Sequence, residues 1–310
     1  MKIAILGAGG MGSNYGGKLS TVPENEVYLL DVFEAHVNKV NSDGLTIEFN
    51  GADTVYKNLK ASTKAEDVGV CDLVLIFVKG TATAEALISN KALFGPDTMA
   101  LTLQNGWGNV EVISSVIGPD NVAAGTTEQG AVFVGPGKVK VGNNGKGKTV
   151  IGDLRGEVTD RIKTVAKTLS DAGFETYTSG SVKNLIWDKL LVNVGINGVG
   201  AATNLKNGQM ITVPEANEIY VAAIKEAMEV AKALGIKFSN PDPIGHVDEV
   251  CEFSAPNQSS MLVDIDKKRI TEIDFINGYI VREGKRLGIP TPVNMSITNM
   301  IKIKQMQYGE

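Results

Sequence analysis

Along roughly the first 180 residues, short apolar runs alternate with stretches of helical periodicity. Residues 2–6 (KIAIL) form an apolar run suited to a buried strand. Gly7-Ala8-Gly9-Gly10-Met11-Gly12 follows at once, then a helical stretch to about residue 20, then a second strand over 26–31 (EVYLLD). Together these predict a βαβ unit of about thirty residues, the size a parallel crossover requires. The alternation continues with a helix at 34–41, short strands at 45–49 and 54–56, and a buried strand at 73–78. A helix at 81–90, a strand at 99–103, a helix at 108–116 and a strand at 121–127 come next. Residues 130–152 are rich in Gly and β-branched residues and predict antiparallel β structure appended to the sheet. A helix at 158–172 and a strand at 175–178 close the series. Strands alternating with helices predict a doubly wound α/β domain.

Near residue 179 the pattern becomes purely helical, with helices predicted over 182–202, 214–234, 243–253, 271–287 and 293–306. Pro290 and Pro292 stop one helix and launch the last. The expected fold is therefore α/β: an N-terminal Rossmann dinucleotide-binding domain over 1–179, then an all-α substrate and catalytic domain over 180–310.

Composition narrows the function. The chain has 310 residues, 43% of them hydrophobic, which is enough for two sizeable cores. A net charge of -5 and a pI near 5.3 leave no electrostatic footprint for nucleic acid or an anionic membrane. The longest clearly apolar run, 73–78, is far too short to span a bilayer, and the N-terminus does not read as a signal peptide. Cys71 and Cys251 make neither a disulfide framework nor a zinc pattern, so no metal is expected and the cytoplasm is the expected location. The two histidines, His36 and His246, read as surface residues, so the proton donor of any acid–base chemistry is expected to be something other than imidazole.

The G-x-G-x-x-G run gains its meaning from following a strand and opening a helix. Gly7 allows the tight turn, Gly9 lets the backbone approach a pyrophosphate that the helix N-terminus stabilises, and Gly12 allows close helix–strand packing. Gly7, Ala8, Gly9, Gly10, Met11 and Gly12 are thus the candidate cofactor-binding turn. Asp31 ends the second strand, where a carboxylate accepts hydrogen bonds from the adenosine ribose. It would repel a 2′-phosphate, and no Lys or Arg precedes Lys39 to neutralise one, so NAD is expected ahead of NADP. Lys79 and Asn105 each follow a strand, at the carboxyl edge where α/β sheets bind ligands. Lys79 could equally be an ordinary helix-entry residue; the alternative for Asp31 is a turn cap and for Asn105 a plain turn residue, whose place at the nicotinamide end favours function.

In WDKLLVNVGIN, from Trp187 to Asn197, Lys189, Asn193 and Asn197 recur every four residues and share one helix face. A solvated stripe is the ordinary reading of such residues. The surroundings, almost wholly apolar, Gly or Asn from Leu185 to Ala202, argue instead for a buried functional face, because polar groups are costly to bury without partners.

These residues resemble the ketopantoate reductase family. The resemblance rests on Trp187-x-Lys189-x-x-x-Asn193-x-x-x-Asn197, on Ser259-Ser260-Met261-x-x-Asp264, on Arg269-x-Thr271-Glu272-Ile273-Asp274 with Gly278, and on Gly288-Ile289-Pro290-Thr291-Pro292-x-Asn294. They occur in order, so the resemblance spans nearly the whole chain. It implies that Lys189 is the general acid that protonates a ketone oxygen and that Glu272 hydrogen-bonds the same hydroxyl. It implies that Asn193, Asn197 and Ser260 hold the substrate, and that Asn105 sits by the nicotinamide ribose and the substrate. Glu272 alone could equally favour a helix N-terminus. Asp31 stands where NADP-dependent members are expected to carry a basic residue, and Val263 where a polar one is expected. The first favours the NAD-using D-2-hydroxyacid dehydrogenase branch, related to D-mandelate dehydrogenase, and the second a more apolar substrate entry. The expected reaction is stereospecific hydride transfer between NAD(H) and a 2-oxo or D-2-hydroxy acid with a branched or aromatic side chain, in a homodimer. The alternatives are NADPH-dependent 2-dehydropantoate 2-reduction and, from another class, a non-catalytic dinucleotide sensor.

Overall fold

The computed structural model describes residues 1–142 and 147–309, so part of the predicted 130–152 β stretch lies outside the described residues. The chain divides into two compact units. One comprises Met1–Gln104 with Asn109–Val182, and the other comprises Asn105–Gly108 with Lys183–Glu310.

The first unit is built on β1 (Lys2–Leu6), α1 (Gly10–Leu19), β2 (Glu26–Leu30), α2 (Glu34–Asp43), β3 (Leu45–Phe49), β4 (Ala52–Tyr56), β5 (Leu59–Ser62), β6 (Leu73–Ile76), α3 (Thr83–Ser89), β7 (Met99–Thr102), α4 (Trp107–Ile117), β8 (Val122–Thr127), β9 (Ala131–Gly135), β10 (Lys138–Val141), β11 (Thr149–Asp153), α5 (Asp160–Asp171) and β12 (Thr176–Thr178). The main sheet runs β12-β11-β8-β7-β6-β1-β2-β5. From β5 to β8 its strands are all parallel, with the order reversing at β1, as in a Rossmann sheet. β6 and β7 are apolar at almost every position because both faces of the sheet are covered.

Two features depart from the sequence reading. The antiparallel β structure expected over 130–152 does not all join the main sheet. Only β11 does, antiparallel to β8, while β9 and β10 form a separate sheet in the order β4-β3-β10-β9. β10 pairs in parallel with β3, across some ninety residues of chain. The third parallel strand, β5, went unrecognised because LKAS is short and only alternately buried. α1 lies between the two sheets. A Cβ on Gly16 would stand 2.4 Å from Leu29 of the main sheet, and one on Gly17 would stand 2.7 Å from Ile47 of the small one.

The second unit contains α6 (Val182–Thr203), α7 (Gln209–Thr212), α8 (Pro214–Ala233), α9 (Pro243–Phe253), α10 (Ser260–Asp266), α11 (Asn277–Leu287) and α12 (Pro292–Met306). Trp187, Leu190, Val194, Tyr220, Ile280 and Ile297 are among its buried core residues. The single helix expected over 271–287 is broken: a 3-10 turn, Ile273–Phe275, precedes α11. Among the described residues, no helix is long and apolar enough to cross a membrane.

Candidate functional site

The Gly-rich turn joins β1 to α1. Gly7 adopts φ 97°, and a Cβ there would stand 2.6 Å from Val78 N. A Cβ on Gly12 would stand 1.9 Å from Gly7 O, so the first turn of α1 closes onto the strand only with glycine. The Asp31 carboxylate ties the turn to the end of β2. Its Oδ2 accepts the Ala8 N–H at 2.8 Å and its Oδ1 accepts the Phe33 N–H at 2.9 Å. A carboxylate has about four acceptor sites, so these two bonds leave capacity for ribose hydroxyls. Beside Asp31 lies a cavity of about 340 Å³ between Gly7, Leu30, Val78 and the α3 residues Glu85 and Ala86. Its described lining carries two carboxylates, Asp31 and Glu85, and neither lysine nor arginine. Turn, carboxylate and cavity fit a dinucleotide; Gly7 to Gly12 are the residues that would hold its pyrophosphate and Asp31 the one that would hold its ribose. Lys79 is exposed, precedes a short 3-10 turn at Gly80–Ala82, and does not line this cavity.

Sequence reasoning missed the groups that hold these loops. Gln104 donates from Nε2 to Val78 O at 2.6 Å and to Thr83 Oγ1 at 2.9 Å, joining the segments that follow β6 and β7. Tyr15 OH, Thr127 Oγ1 and Thr149 Oγ1 form a buried triangle of hydrogen bonds 2.9–3.1 Å long. Burial pushes the Tyr15 phenol up to about 12, so it stays protonated. His36 overturns its sequence reading: it is 1% exposed and hydrogen-bonded on both ring nitrogens. An apolar neighbour, Val37, and a small partner, Ser13, were the only local signals of its burial.

In the second unit, α6 presents Lys189 and Asn193 half-buried and Asn197 buried. The Nδ2 atoms of Asn193 and Asn197 are buried and have no hydrogen-bond partner among the described residues. The opposite side of α6 is tightly packed. Cβ atoms on Gly195 and Gly198 would stand 2.8 Å from Ile224 and 2.4 Å from Ile297, so α8 and α12 lie close against it. Asn277, at the start of α11, donates from Nδ2 to Val194 O at 3.0 Å and to Asn294 Oδ1 at 3.0 Å. Asn294 in turn donates to Ala223 O at 2.9 Å and Glu226 Oε2 at 2.8 Å. This bracket, whose Glu226 gave no sequence signal, fixes the helix that carries the polar face.

Glu272 does not cap a helix with its side chain. Its Oε2 accepts the Asn105 Nδ2–H at 3.3 Å, uniting two candidate residues 167 positions apart. This is possible because Asn105–Gly108 clusters with the helical unit, although β7 delivers it. A Cβ on Gly106 would stand 2.2 Å from Phe275 O, so the loop lies directly on the 3-10 turn that follows Glu272. Ser260 is exposed in the first turn of α10. Its neighbour Ser259 is the buried one, accepting the Leu262 N–H at 3.2 Å and lying 3.6 Å from where a Cβ on Gly200 of α6 would stand. Among the described residues, no cluster of His, Cys, Asp and Glu could hold a metal ion.

A Rossmann sheet with this turn, followed by a helical unit bearing a lysine–amide face, is the build of an NAD(P)-dependent oxidoreductase. The family model for ketopantoate reductase PanE/ApbA matches residues 3–156, and the model for its C-terminal domain matches residues 181–305. The chain belongs to the ketopantoate reductase family. It is 36% identical over 309 residues to 2-dehydropantoate 2-reductase of Pyrococcus horikoshii, covering 100% of this chain and 99% of the relative. It is 32% identical over 307 residues to the enzyme of that name from Halobacterium salinarum, covering 98% and 99%. Among solved structures, D-mandelate dehydrogenase with NADH and anilino(oxo)acetate superposes with a TM-score of 0.91 at 31% identity, over 100% of both chains. A PanE/ApbA family ketopantoate reductase from Ralstonia eutropha gives the same values.

Proposed function

We propose that this protein reduces a 2-oxo acid to the D-2-hydroxy acid, with ketopantoate as its leading substrate. The observation that carries the reading is the α6 face, where Lys189 stands in line with two buried amide donors that have no partner among the described residues. Such donors are costly to bury unless a ligand takes them up, and a carboxylate with an adjacent carbonyl offers the acceptors. A reduced nicotinamide dinucleotide, when bound, would supply the hydride for the carbonyl carbon. Lys189 gives its proton to the carbonyl oxygen as charge develops there, and Asn193 and Asn197 orient the acid. Glu272, already held by Asn105, accepts from the new hydroxyl. Ser260, exposed beside the buried Ser259, meets the substrate carboxylate.

Ketopantoate takes precedence over the branched or aromatic acids expected from the sequence because the curated relatives quoted above are 2-dehydropantoate 2-reductases. A second reading, an NAD-using dehydrogenase of a bulkier 2-oxo acid, draws on the D-mandelate dehydrogenase superposition and on Val263. For the cofactor we propose NADH ahead of NADPH, because among the described residues the cavity beside Asp31 is lined by two carboxylates and no cation. We extend the proposal to a homodimer, to be checked by light scattering. Initial rates with ketopantoate, 2-oxoisovalerate and benzoylformate, each with NADH and NADPH, test the reading. The highest kcat/KM is expected for ketopantoate with NADH. Benzoylformate ahead of ketopantoate would establish the second reading, and inactivity toward all three would sink both.

A further inference from the structure

His36 is buried on α2 between the small sheet and the Gly-rich turn. The Gly137 N–H, in the turn between β9 and β10, donates to its Nδ1 at 3.0 Å. A nitrogen that accepts carries no proton, so the proton of the neutral ring is on Nε2. Nε2–H then donates to Ser13 Oγ at 3.3 Å, and the Ser13 hydroxyl donates to Ala8 O at 2.8 Å. The chain of donors thus runs in one direction, from the small sheet to the turn. Ala8 O shares a rigid, planar peptide with the Gly9 N–H, and the two point in opposite directions. Fixing one fixes the other. A Cβ on Gly9 would meet nothing within 4 Å, so a ligand can reach the backbone there.

We propose that His36 is a positioning residue for the cofactor: through Ser13 it sets the plane of the Ala8–Gly9 peptide and hence the direction of the Gly9 N–H toward the dinucleotide pyrophosphate. The inference rests on the reading of Gly7 to Gly12 as a dinucleotide turn. The bond from Gly137 requires a neutral ring, so the device is sensitive to protonation. Around the ring, α1 contributes Ser13, β9 contributes Phe133 with ring centroids 5.1 Å apart, and the β9–β10 turn contributes Gly137. Lys39 of α2 lies beside Gly137. The charge that acts on the imidazole is the Asp31 carboxylate, which favours protonation, but burial outweighs it and holds the pKa below the ordinary 6.5. The folded state therefore binds the proton less readily than the unfolded chain. Stability is intact above pH 6.5 and declines as pH falls from there toward the lowered value, near which the ring of the folded protein takes up its proton and the turn geometry is lost.

The test is NADH affinity by fluorescence titration, from pH 5.5 to 8, for the wild type, His36→Phe, His36→Gln and Ser13→Ala, with thermal melts alongside. At pH 8, His36→Phe and Ser13→Ala should each weaken binding about tenfold, the scale of one lost hydrogen bond. His36→Gln, whose amide replaces the Nε2 donor without titrating, should stay within about twofold and flatten the acid limb of the profile. Wild-type affinity in Ser13→Ala, or an acid limb in His36→Gln equal to that of the wild type, overturns the proposal. Ser13→Ala preserves the test if His36→Phe fails to fold. If the wild type binds neither NADH nor NADPH, the dinucleotide reading falls as well. If it binds and the variants match it, only this inference falls.

Discussion

The Gly-rich turn and the polar face of α6 treat their buried polar groups in opposite ways. Around the turn, Asp31 and Ser13, the latter backed by His36, bond to the protein backbone and hold residue Ala8 at both its N–H and its C=O, with acceptor capacity to spare on Asp31. On α6, the amide donors of Asn193 and Asn197 have no protein partner among the described residues, while the rear of the same helix is bracketed by Asn277 and Asn294. A braced turn is suited to present backbone N–H groups in a set direction, as a diphosphate would require. A face that leaves donors open gives up stability, and on the proposed function a ligand would complete it. The comparison teaches that the backbone of the turn is braced by protein, although Asn14 in the helix behind it keeps both amide atoms buried with no partner among the described residues, whereas on α6 the side chains of the polar face are themselves left open.

The largest break in this contrast would come from Lys189. Replacing Lys189 by Ala should lower kcat/KM about a thousandfold, within the range general acids supply, while NADH affinity measured by titration stays unchanged. Turnover that survived would make α6 a binding surface only. Next comes a matched pair of amides. Asn294→Ala removes a side chain with partners on both its atoms and should cost about 3 kcal/mol in urea unfolding. Asn197→Ala removes a donor that had none and should cost under about 1 kcal/mol, although kcat/KM falls at least tenfold. Equal costs would mean that the α6 amides are ordinary core residues.

Gly12→Ala would place a methyl 1.9 Å from Gly7 O, and overpacking of this kind costs about 1–3 kcal/mol, visible as a lower Tm with weakened NADH binding. Asp31→Asn should weaken NADH about fivefold, the loss of charge-assisted bonds, and leave NADPH nearly unaffected. A change that fell equally on both cofactors would separate Asp31 from the ribose and leave it as a brace for Ala8 alone.

The two regions also differ in how far they could be read in advance. The turn was legible because strand, glycines, helix and Asp31 lie within about thirty residues, and Gly7 and Gly12 each answer to a steric demand. The α6 face was legible because a period of four places its residues together in any helix. The partners were not. Glu226 behind Asn294 is one polar residue on an ordinary amphipathic helix, and its role depends on where α12 starts. His36 reads as surface in a polar segment, and only the placement of β9 and β10 on their own sheet buries it. The break between Glu272 and α11 carries no proline or helix cap to announce it.

By itself, then, the sequence determined the alternation that makes the Rossmann sheet, the glycine turn, Asp31 at its strand end and the Lys189-Asn193-Asn197 line, because periods of two and 3.6 and tight turns are set by neighbours along the chain. Tertiary structure decided that Asn105 reaches Glu272, that Ser259 rather than Ser260 is buried, that β10 pairs with β3, and that His36 stands behind Ala8. These pairings join residues that no local pattern relates. They are selected by which apolar faces cover one another, and the buried polar groups then bond to whatever that packing brings within reach.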